Sequence, residues 1–390
     1  MNRQNASIAL EKAKEVIQLA STPNGFVATS DGGENYGRIW ARDAVITGVA
    51  SSNIGDHWSK ETWKQSIITL YENRSTSGLI PSNYDPSTGK SSHGSLVGRV
   101  DANLWWLLGC GLYIQQYKDE KLLKNVKEVV NKLTEILQHW EFNDRGLLYT
   151  PLSGNWADEY PYHGYLLYDN ALRYWAMTIW AELLEDDAYQ TKALQIKELI
   201  QTNFWAKPRQ ISEGYHPKLH QEAKDKNLKH WMSGFNPAQN YYFFDAAAIG
   251  IALNAGLYNN DEVDKLEEFI LENFHFDDKV LIPAFWPVLK EGDILYEDIK
   301  NNFSYEFKNF PHNFHNGGIW PVMMGWVVAG LRKAGKTTLA DRIYSDYLGV
   351  CQGEEYQFHE YLSSDSLTPS GKKNMCFSAS GLLLMRGKDE

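Results

Sequence analysis

Residues 100–117, VDANLWWLLGCGLYIQQY, and the stretch that follows at 120–137, EKLLKNVKEVVNKLTEIL, are neighbours of opposite character. The first is apolar, aromatic or small around its whole circumference, the signature of a helix buried on all sides. The second repeats its apolar residues at helical spacing and gives the opposite face to Lys and Glu, so it belongs outside. The contrast recurs at 240–257, NYYFFDAAAIGIALNAGL, followed by DEVDKLEEFILENF at 261–274. Hydrophobic period predicts helices over 9–20, 40–53, 60–74, 100–117, 121–140, 165–184, 187–203, 240–257, 261–273, 317–334, 336–350 and 374–386. Alternation of buried and surface helices implies an inner ring wrapped by an outer one, an all-α fold of six hairpins closed into an (α/α)6 barrel. No Pro/Gly/Ser-rich linker divides the chain, so one domain over 1–390 is expected.

Six irregular stretches separate these helices: 21–39, 75–99, 141–164, 204–239, 275–316 and 351–373. Loops of that length in a compact domain are functional or disordered. Theirs is a poor composition for disorder, since they carry Trp, Tyr, Asn and His. They are expected to wall a pocket at one end of the ring.

Composition narrows the partners. A net charge of -11 argues against nucleic acid, which requires a clustered basic surface. No Lys/Arg block marks a membrane-surface patch, and no apolar run is long enough to span a bilayer. The first residues, MNRQNASIALEKAKEVIQLAS, are amphipathic and lack the apolar centre of a secretory signal. Three scattered cysteines, Cys110, Cys351 and Cys376, form neither a disulfide framework nor a zinc site. The expectation is a soluble protein of the cytoplasm, or of the periplasm if a signal has been removed, with no metal and no cofactor. The 14 Trp, 22 Tyr and 16 Phe serve a large helical core, and they also suit wet, ring-shaped ligands.

Two loops carry acids ahead of buried-type helices. GNWADEYPYHGY (154–165) offers Asp158 and Glu159 among Trp156, Tyr160, Tyr162 and Tyr165. Desolvation by such rings is expected to raise the Asp158 pKa toward the range of a general acid. EEYQFHEYLSSDS (354–366) offers Glu354, Glu355 and Glu360. Alone, the first loop reads equally well as an acidic N-cap region and the second reads better as a solvated surface, but two carboxylates at one end of a helical ring are the minimum for glycosidic bond hydrolysis. Further stretches supply a sugar-binding wall: Arg38, Trp40, Arg42 and Asp43; Arg99, Asp101, Asn103, Trp105 and Trp106; Gln239, Asn240 and Asp245; His312, Asn313, His315, Asn316 and Trp320. Amides and charges fix hydroxyl geometry while indoles cover the apolar face of a pyranose. The His312/His315 pair has no cysteine near it and is read as hydrogen-bonded rather than metal-ligating.

Taken in order, R-I-W-A-R-D (38–43), V-D-A-N-L-W-W (100–106), the acid loop, H-N-G-G-I-W-P (315–321) and the late glutamate loop resemble the neutral/alkaline invertases. They resemble more loosely the amylo-α-1,6-glucosidase (glycogen-debranching) domains. The resemblance implies an inverting, exo-acting glycoside hydrolase of (α/α)6 architecture that releases a terminal glucosyl unit. A sucrose-type substrate or an α-1,6-glucoside is implied. It makes Asp158 the general acid and Glu360 the general base, and it puts Arg42, Asp43, Asp101, His315 and Asn316 around the terminal sugar. The chain departs from that pattern beside both acids, with Glu159 and Tyr160 after Asp158 and with His359 and Leu362 flanking Glu360-Tyr361. Two other classes fit the residues: a carbohydrate-binding toroid without catalysis, and a toroid enzyme such as a polysaccharide lyase or sugar epimerase.

Overall fold

The computed structural model describes residues 3–33, 35–52, 54–205, 214–353 and 355–386. Among them are fourteen helices: α1 (Arg3–Leu19), α2 (Ala41–Ser51), α3 (His57–Glu72), α4 (Val100–Tyr117), α5 (Glu120–His139), α6 (Leu167–Leu184), α7 (Asp187–Asn203), α8 (Pro217–Asp225), α9 (Ala246–Asn254), α10 (Asn260–Asn273), α11 (Tyr296–Asn301), α12 (Pro321–Lys333), α13 (Thr337–Gly353) and α14 (Cys376–Arg386). Each of the twelve expected helices has a counterpart. Six begin later than expected, α9 and α12 by the most. Residues 164–166 and 244–245 are short strands, and Pro321 stands at the first turn of α12, where its missing N–H costs no hydrogen bond. The helices α8 and α11 lie inside stretches expected to be irregular.

The mostly helical fold is organised by two populations. α2, α4, α6, α9, α12 and α14 pack side by side in a closed cycle, α14 returning to α2. α3, α5, α7 and α13 back onto members of that cycle, and α1 lies against α13 and α14. Burial follows the sequence contrast. α4 buries Leu104, Trp105, Trp106, Leu107, Leu108 and Cys110 on every side, whereas α5 buries only the stripe Leu122, Val126, Val129, Val130, Leu133 and Leu137. The cycle closes tightly because small residues sit where helices cross. A Cβ on Gly325 of α12 would come within 2.6 Å of the Gly381 carbonyl oxygen of α14.

Tight connections join inner to outer helices. Lys118 ends α4 in the left-handed conformation and the Asp119 carboxylate then accepts the Leu122 N–H at 3.0 Å, capping α5. Glu185 and Asp186 repeat this between α6 and α7. Asn259 and Glu262 form a capping box at α10. The opposite connections, from outer to inner helices, are long. Their two- and three-residue strands pair with one another just before the inner helices begin: 39–40 with 83–85, 164–166 with 149–150 and 234–235, and 244–245 with 285–286. Each pairing holds a loop where an inner helix starts.

No helix among the described residues is long and apolar enough to cross a membrane. The three cysteines are buried and free. No cluster of three or more His, Cys, Asp or Glu among the described residues has metal-holding geometry.

Candidate active site

A cavity of about 230 Å³ lies at the starts of the inner helices. α2 supplies Arg42, Asp43 and Ile46; Arg99 precedes α4; Trp156, Asp158 and Glu159 precede α6; Phe314, His315 and Trp320 precede α12; Glu360 and Phe377 flank the start of α14. Both candidate acids therefore face one hollow, with three indoles around them.

Glu360 is 9% exposed. Burial among Tyr36, Asp43 and the aromatic wall disfavours its charge and pushes its pKa up to about 7, although Lys308 and a backbone hydrogen bond at Lys372 oppose the rise. The Tyr36 hydroxyl donates to Glu360 Oε1 at 3.5 Å. Gly371, at φ +76°, passes so close that any Cβ there would collide with Glu360 Oε2.

Asp158 departs from the expectation. Burial alone would raise its carboxyl, as the surrounding rings suggested. The Arg99 guanidinium, hydrogen-bonded to Asp158 Oδ2, outweighs burial and holds the group below the usual carboxylate range. Arg99 stands 59 residues upstream of Asp158, and its other arm donates to Asn155 O at 2.5 Å. Below about pH 7 this arrangement favours a proton on Glu360 and a charge on Asp158.

Arg42 sits between two carboxylates, 3.0 Å from Asp101 Oδ2 and 3.7 Å from Asp43 Oδ2. Asp101 is itself held from below: Trp105 Nε1–H donates to Tyr168 Oη at 2.7 Å, and the Tyr168 hydroxyl donates to Asp101 Oδ2 at 3.2 Å. Burial keeps His315 neutral, with its pKa lowered to about 3. Its ring is stacked on Trp320 with centroids 5.5 Å apart and meets Trp156 edge-on at 5.1 Å. His315 Nδ1 and Trp156 Nε1 are buried without a protein hydrogen-bond partner among the described residues. Both belong to cavity-lining side chains, and orphaned polar atoms of this kind call for a ligand or water to complete them.

Of the residues singled out from sequence, Trp40, Arg42, Asp43, Trp156, Asp158, His315, Trp320 and Glu360 line the cavity. Arg38, Asp101, Trp105, Tyr162, Gln239 and Asn316 do not. Asp101 and Trp105 stand behind Arg42. Arg38 donates to Asn83 Oδ1 at 3.3 Å. Tyr162 is buried and donates to Asp245 Oδ2 at 3.4 Å. Gln239 approaches the Tyr241 hydroxyl at 3.4 Å. Asn316 spends its amide on backbone, bonding Leu289 N and O and Asn309 O at 2.7, 2.8 and 3.0 Å. The wall also contains Tyr36, Arg99, Glu159, Tyr305, Lys308, Phe314 and Phe377. Of these, Arg99 and Glu159 are among the candidates picked from the sequence, whereas Tyr36, Tyr305 and Lys308 lie in loops with no local signal. Glu354 lies outside the described residues.

A ring of inner helices surrounds two acids and three indoles with its starts, and the chain is similar in sequence to glycoside hydrolases. The kinship has two named branches. Residues 284–387 match the family model of alkaline and neutral invertase, and residues 15–147 match that of amylo-alpha-1,6-glucosidase. The resemblance seen in the motifs thus holds at both ends of the chain, with Asp158 lying between the two matched regions. The chloroplastic alkaline/neutral invertase E of Arabidopsis thaliana is 20% identical over 404 residues, covering 84% of this chain. The chain spans 62% of that protein's length. Among solved structures, the GH63 mannosylglycerate hydrolase of Thermus thermophilus, in complex with Tris, superposes with a TM-score of 0.68 at 14% identity, covering 97% of this chain and 100% of that one. A wild-type glycosidase gives 0.64 at 14% identity, covering 99% and 98%. At these identities the structural likeness is one of fold.

Proposed function

We propose that the protein is an inverting, exo-acting glycosidase that removes a terminal glucosyl unit from a small α-glucoside, built on an (α/α)6 toroid with its pocket at the inner-helix starts. The observation that carries this reading is the meeting of Asp158 and Glu360 in one aromatic-lined cavity. Its volume falls below the about 300–1,000 Å³ typical of sites for drug-sized ligands, which suits a single sugar ring and therefore attack at a chain end. The unpartnered His315 Nδ1 and Trp156 Nε1 suit sugar hydroxyls. Arg42, braced through Asp101, Tyr168 and Trp105, presents a fixed donor fork beside Asp43.

In this reading Asp158 protonates the departing oxygen and Glu360 takes a proton from the attacking water on the other face of the ring. Before substrate arrives, Glu360 holds a proton more readily than Asp158 does. The substrate must therefore draw Arg99 away from Asp158, and the incoming water must give Glu360 a polar neighbour that favours its charged form. Both changes move the proton toward Asp158. A nucleophilic water needs the carboxylate form of Glu360, so turnover is expected to rise as pH climbs toward 7.

The test compares α-glucosyl fluoride, whose leaving group needs no proton, with α-linked disaccharides including sucrose and isomaltose. Asp158→Asn should lose the disaccharides and keep the fluoride, while Glu360→Gln should lose both. The reverse pattern would exchange the two roles. Proton NMR of the first product should show β-glucose, and α-glucose would overturn inversion.

A further inference from the structure

Residues 302–310, NFSYEFKNF, are fastened to the acid loop at both ends and leave their middle in solvent. Asn302 Nδ2 donates to the carbonyls of Asp158 and Tyr160 at 3.3 and 3.5 Å. The Ser304 N–H donates to Glu159 Oε1 at 3.1 Å, and Asn309 Nδ2 donates to the Glu159 carbonyl at 3.2 Å. Phe303, Phe307 and Phe310 brace the segment edge to edge, with successive centroids 6.1 and 4.8 Å apart. Tyr305 takes no part in that packing. It is 87% exposed and still lines the cavity, which places its ring at the open rim.

Two polar groups stand beside it on the same wall. Glu159 Oε2 has no hydrogen-bond partner among the described residues. Lys308 Nζ lies 5.5 Å over the Phe314 ring, where its charge acts on Glu159 and Glu360. An exposed aromatic face, a buried acceptor still lacking a partner and an ammonium group share this wall beyond the acids, positioned for whatever is joined to the terminal sugar.

We propose that Tyr305, Glu159 and Lys308 form the subsite for the leaving group, and that this group is a second sugar ring. The reading rests on the hydrolase function proposed above. The apolar face of the second ring lies on Tyr305, one of its hydroxyls donates to Glu159 Oε2, and another oxygen accepts from Lys308 Nζ.

The experiment measures kcat/KM of the wild type and Tyr305→Ala on the best disaccharide from the panel and on α-glucosyl fluoride. Disaccharide hydrolysis should fall about tenfold, as for one lost aromatic contact, while fluoride hydrolysis changes less than about twofold. Tyr305→Trp should restore the disaccharide rate. Equal losses on both substrates, or no loss on either, would overturn the subsite. If the wild type hydrolyses neither compound, the hydrolase reading fails on its own, and calorimetry then decides the subsite. Weaker disaccharide binding by Tyr305→Ala, with glucose binding unchanged, supports it; unchanged disaccharide binding overturns it.

Discussion

Glu360→Gln should inactivate the protein and stabilise it, with a gain that depends on pH. The folded environment lifts the Glu360 carboxyl from its ordinary 4.5 to about 7. A carboxyl that binds its proton more tightly when folded favours the unfolded chain once the pH passes 4.5. The penalty grows until about pH 7 and stays constant above it. A lift of this size corresponds to about 3 kcal/mol at pH 8, from 1.36 kcal/mol per pH unit, and to less than about 1 kcal/mol at pH 5. Gln keeps the shape of the side chain and carries no charge to desolvate. Urea unfolding of the two proteins at both pH values reads the difference directly, because a shift in midpoint with unchanged slope is a change in stability. An equal gain at pH 5 and pH 8, or no gain at either, refutes the claim that Glu360 is held in an environment hostile to its charge.

Three further outcomes are expected. Arg99→Met removes the cation that holds Asp158 low, so the alkaline limb of the kcat profile should move to higher pH; a limb that stays in place separates Arg99 from the acid. Gly371→Ala forces a Cβ against Glu360 Oε2 at a positive φ, which should cut kcat by about tenfold or more and cost about 1–3 kcal/mol of backbone strain, checked by steady-state kinetics and urea melts. Trp105→Phe leaves Tyr168 without its indole donor two links behind Arg42, and should destabilise by about 1 kcal/mol while raising KM more than it lowers kcat.

The helices were legible because burial writes itself into composition: 100–117 has no polar face to put in water, and 120–137 has one. The starts of α6 and α9 were less legible, since strands of two or three residues carry no period, and α12 starts only at Pro321. The acids 158 and 360 were found as acids, but their charge states were not. What lowers Asp158 is an arginine 59 residues away, and no local reading reveals that partner. Residue type misled in a second way. Asn316, Tyr162 and Trp105 have the chemistry of a sugar wall, yet an amide or an indole N–H serves backbone and side chains equally well, and here those partners claim them. Tyr305 and Lys308 were invisible because nothing distinguishes a rim residue from any other loop residue until the loop is placed.

The cycle of inner helices is shut by α14 against α2, and α1 lies over that seam. Synthesis runs in one direction, so a ribosome releases Arg42 and Asp43 long before Glu360 and the helix beyond it. Until α14 emerges, α2 and α12 expose the faces that pack against it.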